Sequence, residues 1–220
     1  MTIPLPTLTI PRVVATFPID GSLDKAPWSA LAPIALRPSH GRSSPAEPAF
    51  QPTALRVCRD DAHLFVAFHC ADRDIRGSYQ GRNQPIYEEE VVEAFLAPGS
   101  DPRRYFELES SPRDAWFEAA IESPEGRRAS MRVDRDWVCA GWRRAVRLER
   151  PGGRDLAWSV EWAIPFAALG AAAPAPGGRW RANFFRIDQA GGGEYSAWSP
   201  TLADPPDFHV PDRFGVLVFA

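Results

Sequence analysis

Cysteine, methionine and histidine are all scarce in this 220-residue chain, at three, two and four residues. Cys58, Cys70 and Cys139 are too few and too scattered for a disulfide framework or a zinc site, so buried, reduced thiols are expected. No apolar run approaches the length needed to cross a bilayer, which argues against a helical membrane span. The start, Met1-Thr-Ile-Pro-Leu-Pro, lacks the cationic and unbroken apolar regions of a signal peptide. As written the chain is expected to be cytoplasmic, with export left open because an upstream signal could precede it. A basic stripe is also missing: 25 Lys and Arg against 28 Asp and Glu give a net charge of -3, which argues against a nucleic-acid partner. There is no internal repeat.

What the chain does have is alternation. Trp158, Val160, Trp162 and Ile164 are apolar at every second position while Ser159 and Glu161 face the other way, the period of a half-buried strand. Leu64, Val66, Phe68 and Cys70 repeat the pattern, as do Phe106 and Leu108 against Tyr105, Glu107 and Glu109. Ala115, Phe117, Ala119 and Ile121 alternate with Trp116 and Glu118. Further strands are expected over Ala129–Val133, Val146–Leu148, Ala182–Ile187 and Val216–Phe219. One short helix is expected over Pro165–Leu169, with proline at its first turn and Gly170 at its stop. Short strands with minimal helix imply an all-β fold of two antiparallel sheets packed face to face. The longer connectors, Arg37–Pro52, Pro98–Arg103, Ala171–Gly178 and Ala203–Arg213, mark no domain boundary, so a single domain over residues 1–220 is expected.

Prolines bracket a distinctive tail, Trp198-Ser-Pro-Thr201, then Pro206-Asp-Phe-His-Val-Pro211 and Phe214-Gly215. Proline removes a ladder donor, which assigns Trp198 to a loop, and a flat ring on a loop is a candidate platform for a ligand.

Four segments together carry a family resemblance. Asp20-Gly-Ser-Leu-Asp-Lys-Ala-Pro-Trp28 resembles the opening of family 9 carbohydrate-binding modules, and Leu55-Arg-Val-Cys-Arg-Asp-Asp-Ala-His-Leu-Phe-Val66 is similar to their first hairpin. Gln84-Pro-Ile-Tyr-Glu-Glu-Glu-Val-Val-Glu-Ala-Phe-Leu96 resembles their aromatic, acidic, Val-Glu-x-Phe pattern, and Trp198-Ser-Pro-Thr closes the set. The resemblance implies an immunoglobulin-like β-sandwich of the DOMON-like group, without catalytic activity, that holds a sugar end between two aromatic rings. It implies Tyr87 and Trp198 as the stacking aromatics and Glu93 as the acid that bonds sugar hydroxyls. Two departures stand out: tyrosine offers a smaller face than tryptophan, and Glu107 stands where a basic residue would be expected.

Sugars present apolar C–H faces and polar rims, so a receptor needs flat aromatic surface with a few fixed acceptors and donors. Glu93, Glu107 and Glu109 are candidate acceptors, and Trp116 is expected to share their outward side. Each has a plainer role available: Tyr87 can cover a sheet edge, and Glu107 and Glu109 can form a solvated face. Arg186 can pair with one of these glutamates, donate to a sugar hydroxyl, or both. His209 reads as a loop-stabilising hydrogen-bond partner rather than a metal ligand, because no second histidine stands at ligand spacing. No cofactor is required, but the resemblance makes a structural calcium a candidate, with Asp20, Asp24, Asp72 and Asp74 as weak ligand candidates.

The leading function is non-catalytic binding of a mono- or oligosaccharide in carbohydrate catabolism, with a glycoside hydrolase as a candidate partner. A second class is a glycoside hydrolase using a carboxylate pair such as Glu93 and Glu107. A third, a haem-binding DOMON-like redox domain, is disfavoured because Met1 and Met131 are the only methionines and the histidines show no axial-ligand pattern.

Overall fold

The computed structural model describes residues 4–14, 16–40, 49–189 and 192–220. Residues 41–48 of the Arg37–Pro52 connector and residues 1–3 of the start therefore lie outside the described residues. Among the described residues fourteen strands follow in order: β1 (Thr7–Ile10), β2 (Ile34–Ala35), β3 (Arg37–Pro38), β4 (Thr53–Arg59), β5 (His63–Ala71), β6 (Val91–Ala97) and β7 (Arg104–Ser110). After them come β8 (Trp116–Glu122), β9 (Arg132–Asp134), β10 (Arg143–Glu149), β11 (Ala157–Pro165), β12 (Arg179–Asp188), β13 (Glu194–Ala197) and β14 (Gly215–Phe219).

They form two sheets, a β-sandwich. The larger runs β1-β14-β12-β6-β7-β8-β9, with β13 and β3 attached beside β12, and the smaller runs β10-β11-β5-β4-β2. Among the described strands, ladder pairing is antiparallel except where β1 lies parallel to β14, with Thr7 opposite Val216. The expected helix is instead a 3-10 turn, Phe166–Leu169, closed by Gly170 in the left-handed region at φ 65°. Four residues are too few to nucleate an α-helix, and the turn serves as a bend after β11.

The inner face of the smaller sheet carries the residues singled out by alternation, Leu64, Val66, Phe68 and Cys70 beside Trp158, Val160, Trp162 and Ile164. Opposite them lie Val92, Ala94 and Leu96 of β6, Leu108 of β7, Phe184 of β12 and Leu217 of β14. Burying each such side chain is worth about 1.5–3 kcal/mol. The two central tryptophans also satisfy their donors: Trp162 Nε1 donates to Ser110 Oγ at 3.0 Å and Trp158 Nε1 to Asp72 at 3.2 Å.

Part of the outer face of the smaller sheet is buried too, around Cys58, Phe65, Ala67 and Ala163. Glu161 points there, fully buried, and accepts from Trp28 Nε1 at 2.7 Å, Asp20 N at 2.8 Å, Gly21 N at 3.0 Å and Lys25 Nζ at 2.9 Å. Four donors, two of them from indole and ammonium groups, offset the cost of burying that carboxylate. The Asp20–Trp28 motif is thus a clamp that lays the N-terminal segment over β11. Gly21 belongs in it because its φ of 79° is combined with a backbone approach in which a Cβ would sit 3.1 Å from Val146 and Arg147.

The outer face of the larger sheet positions the site. It carries Val91, Phe95, Tyr105, Phe117, Ile121 and Phe185, covered by Phe208, Phe214 and Ile86 from loops. Glu93, Glu107 and Glu109 share this face and are buried, so the solvated sheet face held open for them does not occur. The reason is the tail: Arg128 of the segment before β9 pairs with Asp207 at 2.7 Å, and Arg181 donates to Phe214 O at 2.6 Å, tying the 206–214 loop down over the sheet.

Three site expectations are corrected by this geometry. Trp116 does not share the glutamates' side: it pairs with Ser110, packs against the core between the sheets, and holds the Arg144 guanidinium 3.5 Å from its ring centroid. Arg186 neither pairs with Glu93, Glu107 or Glu109 nor reaches a ligand surface. It points between the sheets, fully buried, bonding Asp72 at 3.0 Å and Asp188 at 2.7 Å. Trp198 follows β13 in a loop, as expected, but its ring is 7% exposed and packs into the core 5.8 Å from Phe184. That ring lies so close to Gly215 that a Cβ there would come within 2.5 Å of it.

Candidate functional site

Cross-strand register builds the site. Glu93 of β6 stands opposite Glu109 of β7, and Glu107 is two residues earlier on the same side of β7. One carboxylate oxygen from each lies within 4.8 Å of the others. Burial, reinforced by the repulsion of Glu107, pushes the Glu93 carboxyl well above the usual carboxylate range. Glu109 is pushed up in the same way, by burial and then by the charges of Glu93 and Glu107. Both Glu109 oxygens are buried, and among the described residues neither receives a hydrogen bond from a cationic or amide donor, the neighbouring Glu107 carboxyl being the group beside them.

Above these acids opens a cavity of about 250 Å³, floored by Glu93 and Glu107. Aromatic surface comes from three directions. Tyr87 stands at the rim, edge-on to Phe117 with centroids 5.8 Å apart. Phe208 stacks on Phe185 at 4.1 Å and 14°, and Tyr195 meets Phe208 edge-on at 5.9 Å. Charged groups fill the remaining wall: Arg135 lies 5.5 Å from the Phe117 centroid and 3.5 Å from the Tyr87 hydroxyl, and the Arg128–Asp207 pair borders the other side.

His209 links wall and floor. Its Nδ1 is 2.7 Å from the Tyr105 hydroxyl and its Nε2 is 3.7 Å from Glu107. Burial raises the Tyr105 phenol and lowers the imidazole, so the phenol donates to Nδ1 and a neutral ring turns its remaining N–H toward Glu107. The hydrogen-bonding role expected of His209 is therefore seen.

Of the expected site residues, the structure brings together Tyr87, Glu93, Glu107 and Glu109, and leaves Trp198, Trp116 and Arg186 elsewhere. The aspartates do not converge. Asp20 accepts from Lys25 at 2.5 Å, Asp72 from Arg186 and Trp158, Asp74 pairs with Arg76, and Asp24 is exposed beside a separate depression. Phe208, Tyr195, Arg128 and Arg135 were missed. Phe208 left a signal, an aromatic beside histidine inside a proline-bounded loop.

These buried acids predict a pH dependence. A carboxyl raised on folding contributes stability below its unfolded value, near 4.5, and loses it as pH climbs through the folded one; Glu90, pushed by burial to about 8, behaves likewise. His209, lowered, acts in the opposite sense only near and below 6.5. The melting temperature should accordingly fall between pH 7 and 8.5, and Glu109→Gln should flatten that fall. A melting temperature that rises over this interval would show that the acids hold no excess protons.

Comparison with known proteins supplies the relatives. A family model for carbohydrate-binding family 9 matches residues 43–219. An extracellular protein of Arthroderma benhamiae is 27% identical over 209 residues, covering 88% of this chain and 87% of its own length. A Bacteroides uniformis protein thought to bind carbohydrate superposes with a TM-score of 0.76 at 19% identity, over 97% of this chain and 99% of the other. A family 9 module from Caldicellulosiruptor kristjanssonii, solved with cellotriose, gives 0.65 at 13% identity over 97% of this chain and 93% of the other. At those identities the structural likeness establishes the fold, whereas the family model spans most of the sequence. The chain belongs to carbohydrate-binding family 9.

Proposed function

We propose that this family 9 chain holds one sugar ring, a chain end or a short oligosaccharide terminus, in the cavity over Glu93 and Glu107 and does not turn it over. The observation that carries the reading is the convergence on one small cavity of aromatic faces from Tyr87, Tyr195 and Phe208 with acceptors and donors at its floor and rim. Its volume lies below the range of about 300–1,000 Å³ usual for drug-sized ligands, which suits a single ring. Since the Caldicellulosiruptor kristjanssonii module was solved with cellotriose and with glucose, glucose-ended oligosaccharides are the first ligands to test.

The acid arrangement supports binding over hydrolysis. A hydrolase needs two carboxyls flanking the scissile bond, about 5–5.5 Å or 6.5–9.5 Å apart, one of them free to take up or release protons to substrate. Here the acids lie side by side on one wall, on the adjacent strands β6 and β7, rather than on either side of a bound ring, and Glu109 is sealed beneath. A haem would need far more room than this cavity provides, and His209 is already committed to Tyr105 and Glu107.

Isothermal titration with cellotriose, xylotriose and their monosaccharides tests the reading. Glu93→Gln should weaken binding by about 0.5–1.5 kcal/mol through loss of a carboxyl hydrogen bond to the sugar, and Tyr87→Ala by about 0.5–1.5 kcal/mol through loss of stacking. Both variants should remain folded, because Tyr87 is partly exposed and the glutamine keeps the shape of the acid. Full-strength binding by both variants, or release of reducing sugar that Glu93→Gln abolishes, would overturn it.

A further inference from the structure

Three carboxyl groups from two adjacent strands crowd together at the floor of the cavity, and the innermost, Glu109, is completely buried with neither oxygen receiving a hydrogen bond from a cationic or amide donor among the described residues. Buried carboxylates elsewhere in this chain are handled differently: Glu161 receives four donors, and Asp72 and Asp188 receive Arg186. The cationic groups at the rim make their direct contacts elsewhere, Arg128 with Asp207 and Arg135 over Phe117 beside the Tyr87 hydroxyl, and reach the acids only as charges acting through space. His209 is a neutral ring directed at Glu107.

We infer that Glu93, Glu107 and Glu109 bind a divalent, oxygen-preferring cation of the calcium type at the floor of the cavity, where its open coordination positions meet the hydroxyls of the bound sugar. The donor set consists of oxygen alone, which selects a hard ion over zinc or copper. Ligand oxygens around calcium sit about 2.3–2.6 Å from the ion, so oxygens on opposite sides are about 5 Å apart, and a set lying within 4.8 Å can close on one ion. Three carboxylates provide at most six oxygens from one side. A calcium ion accepts six to eight, which leaves positions facing the cavity for water or a vicinal pair of hydroxyls. Magnesium, with its strict octahedron, fits a one-sided set less well.

The sugar part of this inference rests on the reading of the cavity proposed above; the ion part does not.

The test is calorimetric titration of the chelator-stripped full chain with calcium chloride at pH 7, followed by cellotriose titration with calcium and with chelator. One ion per chain should bind. Glu109→Gln and Glu107→Gln, checked for folding by circular dichroism, should each weaken it at least tenfold, and chelation should weaken cellotriose at least tenfold. The inference is overturned if calcium, magnesium and manganese all give neither heat nor a melting shift, or if both variants bind calcium as the wild type does. It is also overturned if glucosamine binds where calcium does not, since an ammonium group would then be what the acids receive. Equal cellotriose affinity with and without the ion removes the sugar coordination. Calcium uptake through the three glutamates with no sugar bound in either condition would support the ion site and refute the proposed function; cellotriose binding without any ion would do the reverse.

Discussion

Trp198→Ala should cost about 3–5 kcal/mol in denaturant unfolding, as much as truncating Trp158 or Trp162, with sugar affinity of the folded protein unchanged. The ring is nearly sealed, packs against Phe184, and fills the space over Gly215 that no larger residue could share. Removing it leaves a cavity that neighbouring strands cannot collapse into, because β14 is held on both sides by β1 and β12. Gly215→Ala should destabilise for the same reason from the other side, since its methyl would also press on the Pro6 carbonyl oxygen at 2.9 Å. A loss below about 1 kcal/mol for Trp198→Ala, accompanied by lost sugar binding, would reinstate the tryptophan as an exposed platform.

Arg186→Met should be comparably severe, about 3–5 kcal/mol, because it strands two buried carboxylates rather than because the ion pair is itself strongly stabilising. Asp72 and Asp188 lose their cation together, and Thr53 Oγ1 and the carbonyls of Gln51 and Ala71 lose a donor. Adding Asp72→Asn and Asp188→Asn to Arg186→Met should restore part of the loss, which chemical denaturation of the single and combined variants will measure. If the neutralised combination is no more stable than Arg186→Met alone, the defect lies in packing and the charge account is wrong.

Strands were legible where one face met the core and the other did not need explaining, as in β5 and β11. Alternation was less informative in β8, whose two faces both carry apolar residues because loops cover the outer one; parity separated Trp116 from Phe117 without showing which of them joined Glu107. That needed the non-local pairing of Glu107 with Ala119 and of Ser110 with Trp116. Arg186 follows the same lesson, since its side relative to the glutamates depends on Phe185 pairing with Glu93. For Trp198 the prolines revealed the loop but not the direction of the ring, which is set by Gly215 and Phe184, one distant in sequence and one on another strand. Glu93 and Tyr87 were reachable from the family pattern, whereas Phe208, Tyr195 and the rim arginines became site residues only when their loops folded over the larger sheet.

The central claim is that sugar binds on the outer face of the larger sheet, over Glu93 and Glu107, and nowhere between the sheets. A crystal structure of the chain soaked with cellotriose tests it most directly. The account predicts the terminal ring in the cavity bounded by Tyr87, Tyr195 and Phe208, with its hydroxyls within hydrogen-bonding or ion-bridged reach of Glu93 and Glu107. An ordered sugar stacked instead against Trp198 or Trp116, or lodged in another depression while this cavity holds only water, would contradict it.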